Sequence, residues 1–266
     1  MLTENLKIAI ISHDITWADK EENIITVADL LNCIDSDTDL VVLPELFSTG
    51  TINDINLLHK LSETNSDNTI NTIHRWSRHF NFAICGSFLA STGDKFYNRA
   101  FFIEPTGDEY FYDKYHLFSI SEERKYLSAG NTTSSIIRYR GWNLKMAICY
   151  DVRFPVWCRN KNNEYDVMLI PANWPDVRGY AWKQLLSCRA IENMAYMVGA
   201  NRSGNDDFGS YSGSSYIFDY FGNSIGVTRS SENSIIYALL NKKSLNRARD
   251  KFPVWQDADN FSLNIF

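Results

Sequence analysis

Positive charge is neither abundant nor clustered in this chain: 26 Lys and Arg stand against 32 Asp and Glu, a net charge of -6, and no basic stripe is present. Nucleic acid and anionic membrane surfaces are therefore not expected as partners. Long apolar runs are missing too. The amino-terminal run, Ile8 to Ile11, is too short for a signal sequence, and no stretch is long enough to span a bilayer. No pair of cysteines has Cys-x-x-Cys spacing, and the five cysteines (33, 85, 149, 158, 188) are odd in number and irregularly placed. This argues against a disulfide framework or a cysteine zinc site and suits reduced thiols in a cytoplasm. Of the five histidines only His74 and His79 are close, and a spacing of five does not put two ligands on one helix face. There is no Gly-x-x-x-x-Gly-Lys phosphate loop, no internal repeat and no low-complexity linker.

What is present is apolar and aromatic: 44% of the 266 residues are hydrophobic and 14% aromatic, enough for a substantial core. Lys7 to Ser12 reads as a buried strand, Asp19 to Asp35 as an amphipathic helix, and Asp39 to Leu43 as a second buried strand stopped by Pro44. This strand–helix–strand opening is the unit of a sheet covered by helices. A polar interval follows, then a helix over Asn68 to Phe80 and a strand over Phe82 to Leu89. Phe96 to Ile103 and Glu109 to Leu117 flank Pro105-Thr-Gly-Asp108 as a hairpin, and Ser135–Tyr139 pairs with Trp142–Ile148 across Arg140-Gly141. Asp166 to Ile170 is a further strand and Tyr180 to Asn193 a long helix; Tyr196 to Ala200, Ser214 to Asp219 and Ser234 to Leu240 complete the strands. Interleaved helices and strands imply one α/β domain over 1–266, with mixed sheets and a tail at 242–266 whose aromatic residues pack on the domain or on a partner subunit.

Three segments share one design, in which a buried strand delivers a reactive side chain at its carboxyl end. Leu43-Pro-Glu45-Leu-Phe47 places a carboxylate at the rim of the sheet, where α/β folds bind ligands. Tyr112-Asp-Lys114-Tyr-His116-Leu-Phe118 holds a lysine among aromatic residues, where its charge is weakly screened. Leu144-Lys-Met-Ala-Ile-Cys149-Tyr-Asp-Val-Arg-Phe-Pro155 ends a strand on a thiol, with a helix expected from Pro155 whose amino terminus would favour thiolate. A glutamate base, a lysine cation and a cysteine nucleophile are the parts needed for acyl transfer from an amide or nitrile. Glu45 would take the thiol proton, and Lys114 with the N–H of Tyr150 would hold the oxyanion. Taken singly, each residue reads as well as a core cysteine, a solvated loop glutamate or an exposed strand lysine.

In conjunction, and in this order along the chain, the three segments resemble the signature motifs of the nitrilase superfamily of carbon–nitrogen hydrolases. The resemblance implies a four-layer αββα sandwich with two mixed sheets, a Glu45–Lys114–Cys149 centre, no cofactor, and a homodimer or larger homo-oligomer. It also implies a second active-site glutamate at Glu123 in Ser121-Glu-Glu-Arg-Lys-Tyr-Leu-Ser-Ala-Gly130, with Glu122 one position out of register. Asn173-Trp-Pro-Asp-Val-Arg178, Arg189-Ala-Ile-Glu-Asn193 and Asn201-Arg-Ser-Gly204 resemble the ω-amidase branch, whose substrates are 2-oxo dicarboxylate monoamides. On that reading Arg178 binds the far carboxylate. Tyr150, Phe118, Asn173 and Trp174 line the pocket, and Arg153 and the Arg189–Glu192 pair serve the fold or a dimer interface. Asn205 to Gly213 is a looser version of a loop that often touches substrate in the family.

Other readings compete. Another aliphatic amidase, an N-carbamoyl amine hydrolase or a nitrilase would use the same three residues, and a non-catalytic protein of this fold is a further alternative. A papain-type Cys–His pair would need His116, which leaves Glu45 and Lys114 without a role.

Overall fold

The computed structural model describes residues 4–228 and 234–265. The chain order is β1 (Asn5–Ile11), α1 (Lys20–Asn32), β2 (Leu40–Val42), α2 (Ile55–Leu61), α3 (Asn68–Phe80), β3 (Ala83–Thr92), β4 (Lys95–Ile103), β5 (Glu109–Asp113) and α4 (Glu123–Tyr126). It continues with β6 (Ile137–Tyr139), β7 (Trp142–Met146), β8 (Val167–Ala172), α5 (Gly179–Asn193), β9 (Tyr196–Asn201), β10 (Ser203–Asp206), β11 (Gly209–Ser212), β12 (Tyr216–Phe218), β13 (Val227–Thr228), β14 (Ile235–Asn241) and α6 (Lys242–Lys251).

The strands form two large mixed sheets. The first runs β13-β14-β1-β2-β3-β4-β5, parallel only across β1-β2-β3; the second runs β12-β9-β8-β7-β6, parallel only across β7-β8-β9. Period-two alternation gives each strand two faces, and both faces are buried here. Ile8, Ile10, Val42 and Phe102 on one face of the first sheet pack into the core that holds Leu144, Val167, Leu169 and Val198 of the second. Ala9, Val41, Ile84 and Phe101 on the other face meet Val27 and Leu31 of α1 and Ile70 and Ile73 of α3. Trp182, Leu186 and Ala190 of α5 join the core of the second sheet. The result is the four-layer αββα sandwich. Among the described residues no helix is long and apolar enough to cross a membrane.

Two local expectations give way, and two segments that the sequence left undefined acquire regular structure. The polar interval after Pro44 contains α2, capped by Asp54, whose side chain accepts from the N–H groups of Asn56 and Leu57. The segment from Asn205 to Gly213 contributes to the β10–β11 hairpin. The tail beyond Lys242 begins with α6, which buries Leu245 and sends Arg249 to the Asp166 carboxylate and the carbonyls of Tyr165 and Met194. The tail therefore lies on its own chain, and Lys161 Nζ donates to the Phe261 carbonyl farther on; Phe266 falls outside the described residues. No α-helix follows Pro155: a 3-10 turn at Cys149–Arg153 and further turns to Cys158 take its place.

Candidate active site

The carboxyl ends of β2, β5, β7, β8 and β9 converge on one side of the sandwich. Beyond β2, Pro44 has no N–H for a ladder, so the chain leaves the sheet there. Leu46 turns it with φ +47, its N–H held by Ser87 Oγ at 2.8 Å. Between them Glu45 is only 4% exposed. Its Oε1 accepts Asn98 Nδ2 at 2.7 Å and Lys114 Nζ at 2.8 Å, while Oε2 accepts the backbone N–H of Asn173 at 2.8 Å.

Strand β5 ends at Asp113, so Lys114 stands just past the strand rather than inside it. Its N–H donates to Asn98 O, and its carbonyl accepts the Gly130 N–H, both at 2.9 Å. A side chain at Gly130 would put a Cβ 2.2 Å from the Asp113 carbonyl oxygen, so only glycine allows the two segments to lie this close. Lys114 Nζ reaches Glu45 on one side and Glu123 on the other, with Glu123 Oε1 at 2.8 Å and Oε2 at 3.1 Å. Glu122, the alternative register, is exposed and pairs with Lys125 at 3.2 Å. Burial disfavours the Lys114 ammonium, but Glu123, Glu45 and the Cys149 sulfur outweigh it and hold its pKa well above the ordinary lysine range. The cation is fixed at any physiological pH.

Cys149 begins the 3-10 turn with φ +42, a left-handed conformation that costs a non-glycine residue roughly 1–2 kcal/mol. The fully buried Asp151 holds this elbow in place. Its Oδ2 accepts the Ile148 N–H at 3.0 Å and Tyr112 Oη at 2.8 Å, and its Oδ1 accepts the N–H of His116 at 3.0 Å and meets His116 Nδ1 at 2.8 Å. Arg189 Nε donates to the Val152 carbonyl, and Arg189 pairs with Glu192, so these two residues brace the turn from α5. The expectation of a resting thiolate is overturned. There is no helix dipole, and burial together with the nearby Glu45 carboxylate pushes the thiol well above its usual range despite Lys114. At rest Cys149 carries a thiol, with the Glu45 carboxylate close by.

Glu45, Lys114, Glu123 and Cys149 all line one cavity of about 380 Å³, together with Phe118, Tyr150, Asn173, Trp174 and Arg178. Phe118 and Tyr150 meet edge to face, with ring centroids 5.0 Å apart, and Trp174 also stacks on Trp182 in the core. Both ends of the Asn173 side-chain amide are buried and lack a partner among the described residues. The Arg178 guanidinium lies 5.2 Å from the Phe118 ring. His116 does not line the cavity: it stacks on Phe154 at 3.7 Å and turns its Nδ1 to Asp151.

Arg153, expected to serve the fold or an interface, instead lines the cavity, with its guanidinium 4.8 Å from the Trp174 ring. Neither Arg153 nor Arg178 has an ion-pair partner among the described residues. Phe208 and Tyr211 also line the cavity; they belong to the Asn205–Gly213 segment, which the resemblance marks as one that often touches substrate, though neither residue stands out within it. They arrive on the β10–β11 hairpin, and no apolar pattern in that polar stretch announces it. For Arg153 a signal existed, since a cation four residues beyond a nucleophile on a tight turn has few places to go but the same rim.

A buried acid, a cation and a thiol meet at the strand ends of an αββα sandwich, the parts that cleavage of a carbon–nitrogen bond by acyl transfer requires. The model of the carbon-nitrogen hydrolase family matches residues 7–250. The chain is 38% identical over 259 residues to the omega-amidase YafV of Escherichia coli (strain K12), covering 97% of this chain and 98% of that protein. It is 29% identical over 252 residues to the 2-oxoglutaramate amidase of Bacillus subtilis (strain 168), covering 94% and 96%. Among solved structures, XC1258 of Xanthomonas campestris, a CN-hydrolase superfamily protein with an arsenic adduct in its active site, matches with a TM-score of 0.92. The identity is 32%, over 98% of this chain and 100% of that one. Saccharomyces cerevisiae Nit3, of branch 10 of the nitrilase superfamily, matches with a TM-score of 0.83 and 25% identity over 95% and 96%. The chain belongs to the carbon–nitrogen hydrolase family, in the ω-amidase-like branch of the nitrilase superfamily, and is a hydrolase acting on amides.

Proposed function

We propose that the chain is an ω-amidase, releasing ammonia from the terminal amide of a small 2-oxo dicarboxylate monoamide such as 2-oxoglutaramate or 2-oxosuccinamate through a Cys149 thioester. The observation that carries the substrate reading is the pair of guanidinium groups, Arg153 and Arg178, that have no carboxylate partner among the described residues and stand on the wall of the cavity that holds Glu45, Lys114 and Cys149. A neutral amide has no use for them. An acid does, because arginine binds a carboxylate through two parallel hydrogen bonds. The unpartnered amide of Asn173 offers both a donor and an acceptor beside them, suited to a 2-oxo group.

In the reaction, the thiol proton of Cys149 passes to Glu45 as the sulfur attacks the amide carbon. The negative charge that develops on the carbonyl oxygen is met by the Lys114 ammonium and the Tyr150 N–H. Collapse of the tetrahedral species breaks the carbon–nitrogen bond, and Glu45 returns the proton to the departing nitrogen, which leaves as ammonia. Water then adds to the thioester with Glu45 as base, releasing the dicarboxylic acid and restoring the thiol. Glu123 keeps two hydrogen bonds to Lys114, so the ammonium retains a carboxylate partner and its place when Glu45 is neutralised by the proton it carries.

The test is ammonia release from a panel of 2-oxoglutaramate, 2-oxosuccinamate, glutamine, a simple aliphatic amide, an N-carbamoyl amine and a nitrile. Preference for the 2-oxo monoamides by at least tenfold in kcat/KM is expected, with Cys149→Ala inactive on all of them. Turnover confined to neutral amides would remove the carboxylate role of the two arginines and return the chain to the wider aliphatic amidases.

A further inference from the structure

The backbone N–H of Asn173 occupies a position that no side chain of the Glu45–Lys114–Cys149 centre can supply. It donates to Glu45 Oε2 at 2.8 Å, and since Asn173 lines the same cavity as Cys149 its dipole also favours the sulfur anion. An N–H on an irregular segment between β8 and α5 would ordinarily be free to rotate with its peptide. Here the next residue is clamped. Trp174 N–H donates to Asn201 Oδ1 at 2.7 Å, and Asn201 Nδ2 donates to the Trp174 carbonyl at 2.8 Å, so one side-chain amide takes both polar groups of one backbone residue. Asn201 is itself fully buried at the end of β9. Ser215 Oγ accepts its N–H at 2.8 Å and donates to its carbonyl at 3.2 Å, and Ser12 Oγ lies 2.8 Å from Ser215 Oγ. The chain of contacts runs from the serines through Asn201 to Trp174, and so to the Asn173 N–H beside the acid and the sulfur.

We propose that Asn201 is a positioning residue of the amidase reaction: by clamping both backbone polar groups of Trp174 it holds the Asn173 N–H on the Glu45–Cys149 couple. The inference rests on the thiol-amidase reading above but concerns a residue that touches neither substrate nor reacting atoms. Geometry assigns it a consequence beyond stability. When the clamp is lost, the peptide between Asn173 and Trp174 can rotate, and the acid and the sulfur lose a shared donor. The other charged or titratable groups around the Glu45–Cys149 couple are Lys114, with Glu123 bonded to it, Arg153 and Arg178 on the cavity wall and Tyr211 from β11, and none of them is hydrogen-bonded to the Asn201 side chain.

The experiment compares the full chain carrying Cys33→Ser and Cys188→Ser, which removes the two exposed thiols, with the same chain bearing Asn201→Ala or the milder Ser215→Ala. Alkylation of Cys149 by iodoacetamide is followed from pH 6 to 11 by intact mass, the midpoint being taken as the pH at which a fixed rate is reached, alongside kcat and KM for ammonia release from 2-oxoglutaramate. Asn201→Ala is expected to move the alkylation midpoint to higher pH and to lower kcat about 10- to 100-fold, the order expected for a misplaced catalytic group, with KM within about threefold. Ser215→Ala should shift both readouts the same way by less. A lower melting temperature with an unchanged alkylation profile and unchanged kcat in the folded variants would overturn the proposal and leave Asn201 a structural residue. If the parent chain releases no ammonia from 2-oxoglutaramate while the alkylation midpoint still moves, the substrate reading fails and the positioning role stands.

Discussion

Replacing Glu45 by glutamine keeps the shape of the side chain and removes its charge and its basicity, and the structure sets out what must follow. Glu45 Oε1 serves Asn98 and Lys114, and Oε2 serves the Asn173 N–H. A glutamine has one acceptor oxygen for these three donors. Turned toward Lys114 and Asn98, it leaves its own amide N–H group against the Asn173 N–H, a buried clash of donors worth about 1–3 kcal/mol. The Coulombic attraction to Lys114 at 2.8 Å is roughly 6 kcal/mol at an effective dielectric of about 20. Most of this is not lost as stability, because Lys114 keeps Glu123 at 2.8 Å and the desolvation of one carboxylate is recovered. The protein should therefore fold, with unfolding free energy lower by about 2–3 kcal/mol. Catalysis should suffer far more. Loss of the general base is worth 10²- to 10⁴-fold, so kcat for ammonia release should fall about 10³-fold, equivalent to about 4 kcal/mol of barrier. Thiol reactivity should change in the opposite sense. Glu45 is one of the groups that push the Cys149 thiol upward, and Lys114 pulls it down. Glu45→Gln should therefore shift Cys149 alkylation by iodoacetamide to lower pH even as amide hydrolysis collapses. A variant that kept kcat within tenfold of the parent, or whose alkylation profile moved to higher pH, would refute the assignment of Glu45 as the base of a resting thiol.

The remaining predictions are shorter. Gly130→Ala forces a Cβ against the Asp113 carbonyl and must displace the segment carrying Lys114; a loss of roughly 2–4 kcal/mol in denaturant unfolding is expected, with kcat falling more than KM rises. Arg153→Ala and Arg178→Ala should each raise KM for 2-oxoglutaramate about tenfold or more and leave turnover of a neutral aliphatic amide within threefold; equal effects on both substrates would deny a carboxylate contact. His13 is buried with its pKa lowered to about 4, chiefly by burial, against 6.5 in the unfolded chain. The unfolded state then binds the proton first, so stability is lost as pH falls from about 6.5 to about 4, by about 3 kcal/mol, and His13→Gln should flatten that part of the stability–pH curve.

Much of this protein is legible in its sequence because the signals are local. Near-continuous apolar runs mark β1, β2, β7 and β8, since parallel strands buried on both faces need no alternation, and helical spacing marks α1, α3 and α5. Glu45 and Cys149 each come at the end of such a run, so their place at a strand end follows from the pattern, whereas the aromatic stretch around Lys114 does not show that β5 stops at Asp113. Three motifs in order along the chain then named the family before any coordinates did.

The structure alone decided matters that depend on distances between remote segments. Glu123 rather than Glu122 reaches Lys114 because α4 begins there, a one-residue distinction no periodicity resolves. Arg153 turned out to line the cavity because the turn after Cys149 is a tight 3-10 turn braced by Asp151 and Arg189 instead of an α-helix, and the same turn leaves the thiol without a dipole to ionise it. Phe208 and Tyr211 reach the site only through the pairing of β10 with β11. The ionisation of the nucleophile is the clearest case. A cysteine ahead of a helix-opening proline promises a thiolate, but burial and the nearby Glu45 carboxylate reverse the sign, and both are properties of packing between segments about a hundred residues apart.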